Sequence, residues 1–263
     1  MTSALQSFTY TSAGNPPVRV WLAVPPRVDH RSRLLVVMHG MLRNAREYAA
    51  EWAGWSARAN HLVIAPQFDR ARWGGGDGYN VGNVLGETAV NPVWRWSFTL
   101  VDEIQATVRR RFGLADESFV LWGHSAGGQF AHRFPLFRPQ AKLRAVIAAG
   151  CGWFTFPDPE VDFPYGTRHP ALGLSRRRLL AWTRLPLVLM RGTRDVERDP
   201  HLRMTVEAEA QGGNRFERAG RMVERGRALD PSCSWRLVDI PGVDHDHIKM
   251  IPATQARWDS LLS

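Results

Sequence analysis

Apolar positions along the chain fall into short runs separated by segments of helical period, and this alternation predicts the architecture. Residues 34–38 and 119–122 are unbroken apolar runs of the kind that a strand buried on both faces requires. Residues 62–65, 145–149, 185–190 and 235–240 complete the series of strand candidates. Between them, residues 45–59 are predicted as a helix. A second helix is predicted to start at Ser97, which offers a cap; Leu100, Val101, Ile104 and Val108 share one face, and Gly113 follows the last turn. Near the start, residues 8–11 and 18–24 flank Ser12-Ala13-Gly14-Asn15-Pro16-Pro17, which predicts an antiparallel hairpin at a sheet edge. Parallel strands need crossover connections, so strands alternating with helices imply an α/β fold: a mostly parallel sheet with an antiparallel N-terminal hairpin and helices on both faces. No linker interrupts the pattern, and one domain is expected over residues 1–263.

Two stretches stand outside this layout. Residues 73–83 are rich in glycine but lack the Lys-Ser/Thr ending of a phosphate loop and do not sit between a strand and a helix, so they are expected to form a plain loop. Residues 152–178 carry Trp153, Phe154, Phe156, Phe163 and Tyr165 among several prolines and have little periodicity, which predicts a short lid or a pocket wall.

The strand candidate at 119–122 runs straight into Gly123-His124-Ser125-Ala126-Gly127. In a Gly-x-Ser-x-Gly elbow the serine sits on a sharp strand-to-helix turn, and the two glycines remove side chains that would collide there. Phe130 and Phe134, four apart, begin the expected helix, and Ala126 and Gly128 let it approach the sheet closely. Ser125 is the predicted nucleophile. A serine hydroxyl is weakly nucleophilic at neutral pH and needs an imidazole to take its proton and a carboxylate to orient that imidazole. Both are expected on loops beyond the carboxyl ends of later strands.

After residues 185–190 come Asp195, Glu197 and Asp199. Asp199 precedes Pro200 and is expected to cap a helix; Asp195, in Gly-x-x-Asp beyond the strand, is preferred as the acid, with Glu197 the remaining candidate. After residues 235–240 come His245 and His247. His245 lies on the turn beyond Pro241-Gly242 and is preferred as the base, while His247 falls in the first turn of the closing helix. The order Ser125, Asp195, His245 matches that of α/β-hydrolases. Two backbone donors should face the developing oxyanion: the amide of Ala126 and that of Met41, the latter in the turn His39-Gly40-Met41.

Bulk properties narrow the function. The 263 residues, 44% hydrophobic, suffice for a sizeable core. The net charge of +9 would suit nucleic acid, but the 34 basic residues are scattered and all but Lys142 and Lys249 are arginine. Their densest runs, at 109–111 and 176–178, lie beside amphipathic segments, so no nucleic-acid partner is expected. Apolar runs are too short to span a membrane. No basic segment followed by an apolar core appears in residues 1–20, and a cytoplasmic location is expected. Cys151 and Cys233 are expected as two buried thiols, and no Cys/His cluster has metal-ligand spacing; neither metal nor cofactor is expected.

His39-Gly40, the Ser125 elbow, Gly192-Thr193-Arg194-Asp195 and residues 241–246 together resemble the α/β-hydrolase superfamily. Within it, Tyr79-Asn80-Val81-Gly82-Asn83 and the Gly-Val-x-His-Asp ending are similar to esterases related to poly(3-hydroxybutyrate) depolymerases and feruloyl esterases. The resemblance implies a cofactor-independent serine esterase acting through an acyl-enzyme; with neither a signal peptide nor a substrate-binding module visible in the sequence, a small-molecule ester is the expected substrate. Tyr79, Asn80 and Trp153 are the expected pocket residues. Asp244 stands where the family carries glycine. The same residues would serve a peptidase or an acyltransferase, and a non-catalytic binding protein of this fold is the reading from a different class.

Overall fold

A computed structural model describes residues 3–263. In chain order the elements are β1 (Ala4–Tyr10), β2 (Val18–Val24), β3 (Arg33–Met38), α1 (Ala45–Ala59), β4 (His61–Gln67), α2 (Ser97–Phe112), β5 (Phe119–His124) and α3 (Ala126–Phe137). There follow β6 (Leu143–Ala149), α4 (Arg176–Thr183), β7 (Leu187–Gly192), α5 (Val206–Glu209), α6 (Arg215–Leu229), β8 (Arg236–Ile240), α7 (His247–Ala256) and α8 (Trp258–Leu262).

The strands form one eight-stranded sheet in the order β1-β2-β4-β3-β5-β6-β7-β8. β1 and β2 pair antiparallel, β2 meets β4 antiparallel, and every later pairing is parallel. Side chains on β5 alternate between the two faces: Phe119 and Leu121 join the core that holds α2, α3, α4 and α6, while Val120 and Trp122 join the core beneath α1, α7 and α8. A strand buried on both sides must be apolar at every position, and so the apolar runs marked it in the sequence.

Several ends differ from expectation. β1 begins at Ala4, four residues before the predicted run, because the hairpin register carries Ala4 opposite Val24 although that face is largely exposed. β7 begins at Leu187 and runs on to Gly192: the Leu185 amide turns back to Trp182, and Arg191 and Gly192 pair with Asp239 and Ile240. Ser97 is the first residue of α2 and not its cap; Trp96 occupies the cap position, and the Ser97 hydroxyl donates to the Tyr79 carbonyl at 3.4 Å. Gly113 does end α2 in the left-handed conformation, at φ 63°.

Within residues 152–178 the stretch 152–157 forms a wall, and residues 176–178 open α4. Residues 152–157 are all buried, Phe154, Phe163 and Tyr165 join the larger core, and the Phe156 amide donates to the Tyr165 carbonyl at 2.8 Å. No helix among the described residues is long and apolar enough to cross a membrane.

Candidate active site

Parallel strands deliver their carboxyl ends to one edge of the sheet, so the turns after β3, β5, β6, β7 and β8 gather there. The tightest of them follows β5. Ser125 has φ 56° and ψ −117°, a conformation L-residues rarely adopt, held by its amide donating to Ala149 at 2.9 Å and its carbonyl accepting from Gln129 at 3.0 Å. A Cβ at Gly123 would stand 2.1 Å from the Gly127 carbonyl oxygen, and one at Gly127 would stand 2.0 Å from that of Met38. Both obstacles are backbone, so only glycine fits on either side of the elbow.

The strained serine meets the histidine of the β8 turn. Ser125 Oγ lies 3.0 Å from His245 Nε2, and His245 Nδ1 lies 2.9 Å from Asp195 Oδ2. Asp195 is buried, whereas the Glu197 side chain is exposed and outside this chain of contacts. His247, the other candidate base, opens α7 and stacks on Tyr48 with ring centroids 4.5 Å apart. Asp244 turns outward to Lys249, 2.8 Å away, and Asp246 caps α7 by accepting from the Ile248 amide. The second carboxylate next to His245 in sequence is therefore engaged elsewhere.

Asp199 caps no helix: residues 199–202 form a turn, and its carboxylate is held by Arg215. Sequence reading gave Arg215 no role. Opening α6, it is buried, and its guanidinium is shared between Asp199 and the far oxygen of Asp195, 3.4 Å away. The charge-assisted bond to Arg215 is the main reason the Asp199 carboxyl is lowered to about 2. Asp195 thus accepts from His245 on one oxygen and faces a buried cation with the other.

His124 lies behind His245, with ring centroids 5.0 Å apart. Burial above all, and then the nearby charges of His245, His247 and Arg215, push its pKa well below the ordinary value. It stays neutral beside the His245 imidazole. Its Nδ1 is 3.4 Å from the Tyr48 hydroxyl, and its Nε2 has no partner among the described residues.

Two cavities open at Ser125. One, of about 350 Å³, includes Met41, Ala126, Asn80 and Trp153 in its lining; the other, of about 200 Å³, includes Met41, Tyr48, His245 and His247. Ala126 opens α3, where amides have no intrahelical acceptor, and a Cβ at Gly40 would lie 3.9 Å from Ser125 Cβ. Met41 and Ala126, whose amides are the expected oxyanion donors, line the larger cavity together with Ser125. Asn80 and Trp153 line the larger cavity as expected. Tyr79 does not: it is fully buried, stacks on His39 and donates to the His39 carbonyl at 2.8 Å. It braces the turn that carries Met41. Cys233 is half-buried, not buried as expected, and Cys151 is buried beside the elbow helix; both thiols are free.

No family model matches the chain, and no curated protein does. Among solved structures it is similar to poly(aspartic acid) hydrolase-1 from Sphingomonas sp. KT-1, with 30% identity and a TM-score of 0.92 over 97% of this chain and 98% of that one. The chain belongs to the α/β-hydrolase superfamily. It is also similar to LpqC, a poly(3-hydroxybutyrate) depolymerase from Bordetella parapertussis, at 29% identity and a TM-score of 0.92 over 98% of this chain and 90% of that one. An S-formylglutathione hydrolase from Agrobacterium tumefaciens shares the fold at 14% identity and a TM-score of 0.64, over 99% of this chain and 98% of that one. The protein is accordingly an α/β-hydrolase, and its likeness to a poly(3-hydroxybutyrate) depolymerase agrees with the resemblance that the motifs in its sequence carried.

Proposed function

We propose that this α/β-hydrolase cleaves carboxylic esters through an acyl-enzyme formed on Ser125. The Ser125 hydroxyl attacks the ester carbonyl as its proton passes to His245 Nε2. Asp195 accepts from His245 Nδ1–H, which keeps Nε2 free as the base and stabilises the imidazolium that forms. The amides of Met41 and Ala126 donate to the oxyanion, with the α3 dipole adding to the second. His245 then gives its proton to the departing alcohol, and in the second half of the cycle it activates water against the acyl-enzyme. The observation that carries this reading is the unbroken hydrogen-bond chain from Ser125 through His245 to Asp195, beginning at a serine in a strained turn.

A second reading concerns the bond cleaved. One similar protein is named for an ester-linked polymer and another for an amide-linked one, so the same residues acting on amides is the competing account. Matched ester and amide substrates with one acyl group, offered as small molecules and as short oligomers, separate the two and also test the expected preference for small substrates. Replacing Ser125 by Ala is expected to lower ester turnover by about 10⁴-fold or more while leaving the unfolding transition in place. Near-normal turnover in that variant would overturn the proposal.

A further inference from the structure

The larger cavity beside Ser125 is lined by three arginines, Arg43, Arg70 and Arg203, and by no aspartate or glutamate. None of the three forms an ion pair with a carboxylate among the described residues. Arg43 is buried and is accounted for structurally: its guanidinium donates to the carbonyls of Phe68 and Gly75, each at 2.7 Å, and lies 4.3 Å from the Tyr79 ring centre. The other two are exposed to solvent. Arg70 makes no side-chain hydrogen bond among the described residues, and Arg203, at the exposed rim, donates only to the Tyr165 hydroxyl.

A fourth cation stands behind the wall. Arg133 is fully buried, with Nε donating to Thr155 Oγ1 at 2.7 Å and Nη1 to the Gln129 carbonyl at 2.9 Å, while Nη2 has no partner. Its guanidinium and that of Arg203 lie 4.1 and 5.1 Å from the centre of the Trp153 ring, which forms part of the cavity surface. Burial pushes Arg133 down to about 9, as expected for a cation that neutral acceptors alone do not compensate. Taking a guanidinium out of water is costly unless an anion pairs with it. Arg43 and Arg133 are buried in this way without a carboxylate partner, and together with the exposed Arg70 and Arg203 they give the cavity a positive potential that favours a bound anion.

The side of the ester that enters this cavity follows from the proton path. His245 must reach the leaving oxygen, and it lines the smaller cavity, not the larger one. The alcohol therefore departs past His245, and the acyl chain extends toward the arginines. We infer that the larger cavity is an acyl subsite selecting acyl groups that carry a carboxylate of their own, such as half-esters of dicarboxylic acids. Arg70 and Arg203 meet that carboxylate directly, and Arg133 supports it through the field behind Trp153. The assignment of the acyl side rests on the proposed ester hydrolysis; the anion preference of the cavity does not.

The test compares 4-nitrophenyl hydrogen adipate with 4-nitrophenyl hexanoate, which differ in the terminal carboxylate. The wild-type protein is expected to favour the charged ester by about tenfold or more in kcat/KM, the scale of one charge-assisted hydrogen bond. Raising the salt concentration and combining Arg70→Gln with Arg203→Gln should each bring the ratio toward one. Adipate binding to the Ser125→Ala protein, measured by titration calorimetry and repeated with the arginine substitutions added, reads the cavity without any chemistry. A preference below one, a preference intact in the arginine variant, or no adipate binding would overturn the subsite. Adipate bound through the arginines by a protein that turns over neither ester would uphold the subsite and sink the esterase reading. Ester turnover without a charge preference would do the reverse.

Discussion

Asp199 offers a quantitative check on the charge network behind the site. The Arg215 hydrogen bond, with help from the His201 amide and the nearby charges of Arg215 and His245, lowers the Asp199 carboxyl from 3.8 to about 2. A lowering of that size corresponds to about 2.4 kcal/mol of linkage. The Asp199 side chain is 27% exposed, and solvent screening reduces the figure to about 1–2 kcal/mol. Because the folded-state pKa is depressed, this stability is fully present above pH 3.8 and disappears as the pH falls through about 2. Asp199→Asn removes the charge while keeping an acceptor for the His201 amide. The variant should be about 1–2 kcal/mol less stable than wild type at pH 5 to 7, with the two converging near pH 2, where the protonated aspartic acid resembles the amide. Urea unfolding followed by tryptophan fluorescence at several pH values measures the gap. Other carboxylates titrate in the same window, but they are common to both proteins and cancel in the difference. A gap constant from pH 6 to pH 2.5, or no gap at all, would refute the Arg215 network as described.

Three further outcomes follow from the same structure. Gly127→Ala drives a Cβ to 2.0 Å from the Met38 carbonyl oxygen and 2.5 Å from its carbon, so thermal unfolding should show Tm lowered by at least about 5 °C, and activity should fall with the displaced Ala126 amide; an unchanged Tm would contradict the close approach. His245→Ala should lose turnover on the scale of Ser125→Ala, whereas His247→Ala, which removes a ring stacked on Tyr48 in the smaller cavity, should alter KM more than kcat; steady-state kinetics showing equal losses in kcat would reject His245 as the base. Burial pushes the Cys151 thiol up strongly and the half-buried Cys233 less so, so iodoacetamide should label Cys233 first in the native protein, as peptide mapping would show; preferential labelling of Cys151 would be the contrary result.

The chain by itself determined those parts whose causes are local. A strand covered on both faces must be apolar throughout, so β3 and β5 were visible as runs, and α2 was visible as one apolar stripe ending at Gly113. Gly123 and Gly127 surround a serine because nothing larger fits the turn, and that constraint lies within five consecutive residues. Asp195 and His245 could be nominated because parallel strands deliver the turns at their carboxyl ends to one edge, which limits where an acid and a base can stand.

Only the tertiary structure decided what depends on distant partners. Asp199 beside Pro200 resembles a helix cap locally, yet the guanidinium of Arg215, sixteen positions on, claims it. Tyr79 sits in a glycine-rich loop and was expected to line the pocket, but stacking on His39, forty residues away, accompanies its complete burial. The scattered arginines looked like a solvated surface. Packing α3 and the wall around Trp153 against the elbow collects Arg43, Arg70, Arg133 and Arg203 around one cavity. Sequence spacing carries no record of that gathering, because charge summed at a point depends on where the chain folds and not on the order of its residues.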